Sequence, residues 1–214
     1  MRAQLPGRAL LILLLLAASL AHAPQAQEVG AFASAGWSEQ TELPHPRGYG
    51  VFLTTPSLGF FALRLSYEEQ ESRSERQETV CDSYWPSYTN CIQERLRSKV
   101  TLRSLRLGVL ARFDASSRVR LGLGGGRSLS RVNADIRGKE SGRTLGLVVP
   151  EDRQQGSFLL VTADLQRILG TPLFLSSTAS GHTVRFDGCA TDSYIPFCGT
   201  QTITELQLGL GYRF

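Results

Sequence analysis

Ser180 and His182 are separated by one residue, and Asp187 follows shortly after. A hydroxyl, an imidazole and a carboxylate are the parts of an acyl-transfer centre, and on extended chain Ser180 and His182 share a face. Such spacing also arises by chance and no second motif accompanies it, so the sequence assigns no catalytic residue and leaves these three as the ones to test. His45 is the other histidine beyond the first 26 residues, isolated in a polar stretch. The four cysteines form two local pairs, Cys81 with Cys91 and Cys189 with Cys198. Four cysteines allow three connectivities. Local pairing needs only the two arms of one loop to meet, so Cys81–Cys91 and Cys189–Cys198 are the expected disulfides. A four-thiolate metal site would want close C-x-x-C spacing, which is lacking, and no metal is expected. Gly124-Gly125-Gly126 is followed by no helical pattern, so it is no phosphate loop, and no cofactor is expected.

The charged residues obey a period of two. Arg64, Glu68, Arg106, Arg112, Arg120, Asp164, Glu205 and Arg213, with Gln166 and Gln207, fall on one side of segments whose other side is apolar. In one segment Phe61, Leu63, Leu65 and Tyr67 alternate with Ala62, Arg64, Ser66 and Glu68. In another Leu105, Leu107, Val109, Ala111 and Phe113 oppose Arg106, Gly108, Leu110 and Arg112. Strands are expected at about 28–38, 48–55, 59–71, 95–113, 118–132, 156–168, 172–186 and 200–214. The Glu/Arg-rich stretch 68–76 reads as a solvated strand extension rather than a helix. The expected fold class is all-β, an eight-stranded antiparallel up-and-down transmembrane barrel.

Both ends of the chain point to the same compartment. Arg2 and Arg8 precede the apolar run 9–18, and small residues follow at Ser19, Ala21, Ala23 and Ala26, the layout of a secretory signal peptide. Residues 1–26 are the expected signal, with cleavage after Ala21, Ala23 or Ala26, and residues 27–214 the barrel domain. Without Arg2 and Arg8 the balance is 21 basic to 19 acidic residues, which removes the case for a nucleic-acid partner. No later apolar run is long enough for a membrane helix, so any crossing must use strands closed into a barrel. The last segment sets Leu206, Leu208, Leu210, Tyr212 and Phe214 against Glu205, Gln207, Gly209, Gly211 and Arg213. Its pattern of Gln207, Gly209, Tyr212 and Phe214 resembles the C-terminal signal that the barrel assembly machinery reads in bacterial outer-membrane proteins.

The connections alternate in length. Links two, four and six are short (56–58, 114–117, 169–171), whereas one, three, five and seven are longer and polar. Outer-membrane barrels have short periplasmic turns and longer extracellular loops. The two cysteine pairs then fall in two extracellular loops, together with Tyr84, Trp85, Tyr88, Tyr194 and Phe197, which are candidate binding anchors.

Signal, alternation, loop asymmetry and terminal pattern together resemble the small OmpA/OmpX-like outer-membrane barrels. That resemblance implies outer-membrane location, both termini in the periplasm, lipid and assembly-machinery partners, and a non-enzymatic role in surface interaction, with a surface ligand held by the extracellular loops, or in envelope integrity. The lumen of an eight-stranded barrel is just wide enough for side chains to fill, so a plugged, charge-paired interior is expected rather than a pore. Some such barrels modify lipid A with a His, a Ser and an acid, which makes His182 the first alternative. A lipocalin-like soluble carrier is the second, since it too has eight strands and a Gly and Trp near the start, here Gly36-Trp37.

Overall fold

The computed structural model describes residues 27–39, 44–82, 90–138, 154–186 and 199–214. It contains eight strands: β1 (Glu28–Ser38), β2 (Arg47–Thr54), β3 (Phe61–Asp82), β4 (Asn90–Asp114), β5 (Val119–Gly138), β6 (Gln154–Leu165), β7 (Leu173–Phe186) and β8 (Gly199–Arg213). Each pairs antiparallel with its sequence neighbours, and β8 closes on β1 with Glu28 opposite Arg213 and Ser38 opposite Ile203. Closure leaves no open edge through the body of the sheet, as a spanning structure in hydrocarbon requires.

Alternation alone left open which rows face outward, and the structure decides it. Leu107, Leu123, Leu159 and Leu208 are 57, 58, 72 and 59% exposed on the exterior. Arg64, Arg106, Arg112, Asp164 and Glu205 are buried inside. The arrangement inverts that of a soluble barrel, so the lipocalin-like carrier is excluded: its apolar rows would line the cavity. Aromatic side chains gather at the two ends of the apolar exterior. Phe60, Phe61, Phe113, Tyr212 and Phe214 lie at the end bearing the termini, and Trp37 and Tyr49 at the other, the placement of interfacial girdles.

The short turns carry their own local chemistry. Ser116 accepts hydrogen bonds from the backbone N–H groups of Arg118 and Val119, at 3.3 and 3.1 Å, and so folds the β4–β5 reversal. Between β6 and β7, Arg167 and Leu169 take left-handed backbone (φ 55° and 53°) around a single 3₁₀ turn, Ile168–Gly170. Thr171 donates its hydroxyl to the Ile168 carbonyl at 2.7 Å and tightens it.

Three strands outrun the sequence expectation. β3 continues past 71 to Asp82, β4 begins at Asn90 rather than 95, and β5 continues past 132 to Gly138. Among the described residues β3 pairs with β2 as far as Glu71–Arg47 and β5 with β6 as far as Ser130–Gln154; past those pairs β3, β4 and β5 continue together as a three-stranded overhang. Its outer rows are charged instead of apolar, and periodicity keyed to hydrophobic residues therefore stops at the belt. Conversely β6 ends at Leu165, short of 168, because the left-handed Arg167 breaks the extended chain.

Candidate functional site

Two charged hubs fill much of the lumen. In the first, Arg106 on β4 points inward and pairs with Glu205 of β8 at 2.5 and 3.0 Å and with Glu68 of β3 at 3.0 Å. All three side chains are at most 4% exposed. Gln70 donates to Glu68 at 2.9 Å, and Gln207 bridges the two carboxylates at 3.3 and 3.0 Å. His182 of β7 completes the layer, its Nδ1 3.4 Å from an Arg106 nitrogen and its Nε2 2.9 Å from the Ser128 hydroxyl.

A guanidinium can only donate. His182 Nδ1 facing Arg106 must therefore be the acceptor, which puts the ring proton on Nε2 and makes Ser128 the receiver. This is the reverse of nucleophile activation, where the base takes the proton from serine. Ser180, the hydroxyl singled out for testing beside His182, donates to Glu205 at 3.2 Å. Since His182 is fully buried within the lumen, acyl chains on the exterior cannot reach it.

The second hub sits at the end bearing the termini and reverses the count. Glu28 on β1 receives Arg112, Arg120 at 3.2 Å and Arg213 at 2.6 and 3.0 Å. Arg112 lies 3.6 Å from Asp164, Arg213 donates to Gln166 at 3.2 Å, and Arg120 reaches Asp114 at 2.8 Å. Between the hubs are Phe32, Phe52 and Phe174, with Arg64 stacked 4.2 Å above the Phe52 ring, and Leu110, Phe158 and Leu160. Gly30 and Gly50 belong to this layer because a Cβ at either would collide with the facing Phe52 or Phe32 ring. Beyond the Arg106 hub the lumen turns apolar again, with Val100, Leu102, Val132, Val184 and Ile203.

No protein-family model and no curated protein matches the sequence. Solved structures do match in shape: the attachment invasion locus protein Ail of Yersinia pestis (TM-score 0.51, 10% identity), Neisserial surface protein A (0.51, 15%) and a major outer membrane protein of Thermus thermophilus (0.52, 15%). Each alignment covers 88 or 89% of this chain and 99% of the other. The fold is the eight-stranded β-barrel that these outer-membrane proteins share.

Within this barrel the terminal pattern divides by face. Gln207 and Gly209 are inward, with Gly209 against Phe32. Tyr212 and Phe214 are outward, 40 and 61% exposed, their rings edge-on at 5.0 Å. His45 is exposed in the first connection. Cys81 and Cys91 are direct register partners on β3 and β4. Cys189, Cys198, Asp187, Tyr84, Trp85, Tyr88, Tyr194 and Phe197 lie outside the described residues, as does the signal segment 1–26. Sequence reasoning missed Glu28, the centre of the second hub. Its signal was present, because Glu28 shares the parity of Phe32 and Ser34, but it sits at the strand's first residue, where the face is not yet established. Ser128 and Ser130 gave no signal at all: only the register of β5 against the rest of the barrel carries them to His182.

Proposed function

We propose that this protein is a surface-interaction barrel of the bacterial outer membrane. In this reading residues 1–26 are removed on export, the barrel assembly machinery inserts the chain through its terminal Gln207, Gly209, Tyr212 and Phe214 pattern, and both termini face the periplasm. The long connections and the overhang then face outward. The observation that carries the reading is the overhang: β3, β4 and β5 continue past the barrel rim as paired sheet, where shorter strands would suffice to cross. Residues 72–82 of β3 reach on the order of 35 Å along the strand at ~3.3 Å per residue. The paired extension carries the ends of β3 and β4 away from the membrane, as attachment demands, and Tyr84, Trp85 and Tyr88 belong in sequence to the connection between them. The matched Ail is an attachment protein by name, and the same kind of work is proposed here.

A disulfide between Cys81 and Cys91 is part of the proposal. Directly paired antiparallel residues have Cα atoms about 4.5–5.5 Å apart, inside the range a disulfide spans. Cys189–Cys198 is proposed as the matching staple on the seventh connection. The lumen is proposed to be a plug, since charged hubs, aromatic rings and aliphatic side chains succeed one another along it.

The test replaces residues 81–91 by a tight turn and compares cell-surface binding of bacteria displaying either form. Loss of binding with unchanged barrel folding supports the reading, and equal binding refutes it.

A further inference from the structure

The exterior of β4 and β5 changes character along its length. Near the middle of the barrel it offers lipid-facing Leu107 on β4 and Leu123 on β5, with Leu105 one step nearer the rim. Arg127 then stands in the same outward row, directly across from Leu107 on one side and Ser157 on the other. Leu129, 43% exposed, lies still nearer the rim on the same face, so Arg127 is inside the apolar belt rather than above it. Among the described residues it has no hydrogen-bond or ion-pair partner. Above Leu129 come Arg131 and its register partner Arg103, and then a groove of about 370 Å³ whose floor includes Thr101 and Asn133. Its two acids are already engaged. Glu69 accepts from Arg103 at 3.2 Å, and Glu71 meets Lys99 at 3.0 Å, whose ammonium holds that carboxyl below the usual carboxylate range.

An arginine among lipid-facing leucines costs free energy unless its head reaches the interface or an anion meets it. Guanidinium groups recognise phosphate by paired, charge-assisted hydrogen bonds. Along the outward row of β5 the order toward the rim is Leu123, Arg127, Leu129, Arg131; with the Arg127 head reaching rimward past Leu129 toward Arg131, the surfaces run leucine, arginine, then polar groove. A phosphorylated glycolipid has the same order, from acyl chain through phosphate to sugar.

We propose that this face holds one phosphorylated glycolipid of the surrounding leaflet, its phosphate on Arg127 and Arg131, its chains along Leu105, Leu107 and Leu129, and its sugar toward Thr101 and Asn133. The site would couple the base of the overhang to the lipid around it. The assignment to the outer leaflet rests on the orientation given under Proposed function; the chemistry of the site does not.

The test uses the full mature barrel in detergent micelles, with retained lipid read by native mass spectrometry after addition of bisphosphorylated or fully dephosphorylated lipid A. Wild-type protein is expected to retain the phosphorylated lipid selectively. Arg127→Gln/Arg131→Gln is expected to lose that retention by about tenfold or more, the effect of one or two charge-assisted hydrogen bonds. Arg118→Gln, in a turn at the opposite end, should leave it intact. Arg131→Gln alone, above the leucine belt, gives a second variant whose folding does not depend on the lipid-facing row. Equal retention by the double variant overturns the proposal, as does equal retention of the dephosphorylated lipid. Micelles have no leaflets, so these outcomes judge the site alone. An epitope inserted between Cys81 and Cys91 and sought on intact cells judges the orientation.

Discussion

The two lumen hubs are mirror images in charge and differ in water. Around Arg106 a single guanidinium serves two carboxylates, with Arg106, Glu68 and Glu205 at most 4% exposed. Around Glu28 one carboxylate serves three guanidiniums, and two of them, on Arg120 and Arg213, are 18 and 25% exposed. The charge that Glu28 alone does not neutralise at the second hub is met by Asp164 beside Arg112, by Asp114 on Arg120 and by solvent at the mouth. At the first hub, neutral groups must do that work. Gln70, Gln207 and Ser180 all donate to its carboxylates, and His182 presents a lone pair to Arg106. Charge count alone therefore does not predict which ion cluster is brittle; access to water does.

Removing the central residue of each hub tests this. Arg106→Gln should destabilise the barrel by about 3–5 kcal/mol, because two carboxylates are then left together in a dry interior. Reversible urea unfolding in micelles would measure it, and adding Glu205→Gln should recover part of the loss by removing one of the stranded charges. The comparison also presupposes that these rows are interior and the leucine rows exterior. Val161→Arg on the outer face of β6 should cost about 2–4 kcal/mol if Val161 sits near the bilayer midplane, read by the same titration in liposomes. A cost near zero would reverse the faces. Glu28→Gln is expected to lose less than Arg106→Gln, about 1–3 kcal/mol, since partly hydrated arginines replace the lost bonds with water. A larger loss than for Arg106→Gln would break the contrast. Smallest of all is Glu75→Ala on the overhang, whose pairs with Arg95 and Arg97 at 3.7 and 3.6 Å are solvent-exposed. Below about 1 kcal/mol is expected there, and it should fade with salt.

Much of the barrel was legible because each strand carries its own period. The rows Leu105–Phe113 and Arg106–Arg112 declare two faces without reference to any other part of the chain. The short reversals did the same, through Ser116 and Gly170. Register was not legible. Nothing near His182 in sequence announces Ser128 or Arg106, and the apparent Ser180–His182 pair separates once Ser180 bonds Glu205 on the adjacent strand and His182 meets Arg106 and Ser128 from β4 and β5. The overhang was only partly legible: the charged run 68–76 was recognisable as extended chain, but its length depended on β4 and β5 continuing beside it.

The order of amino acids specified eight alternating segments, their short and long connections, and the set of charged residues that must share a face, because alternation is a property of neighbours two apart. Assembly of the sheet was needed to settle that this face is the inside, that Glu28 gathers three arginines, that His182 presents its acceptor nitrogen to Arg106, and that Arg127 stands among lipid-facing leucines. Those facts depend on which strand lies beside which and at what offset. A closed ring fixes both at once, since shifting one strand by a single residue would turn its whole charged row into the membrane.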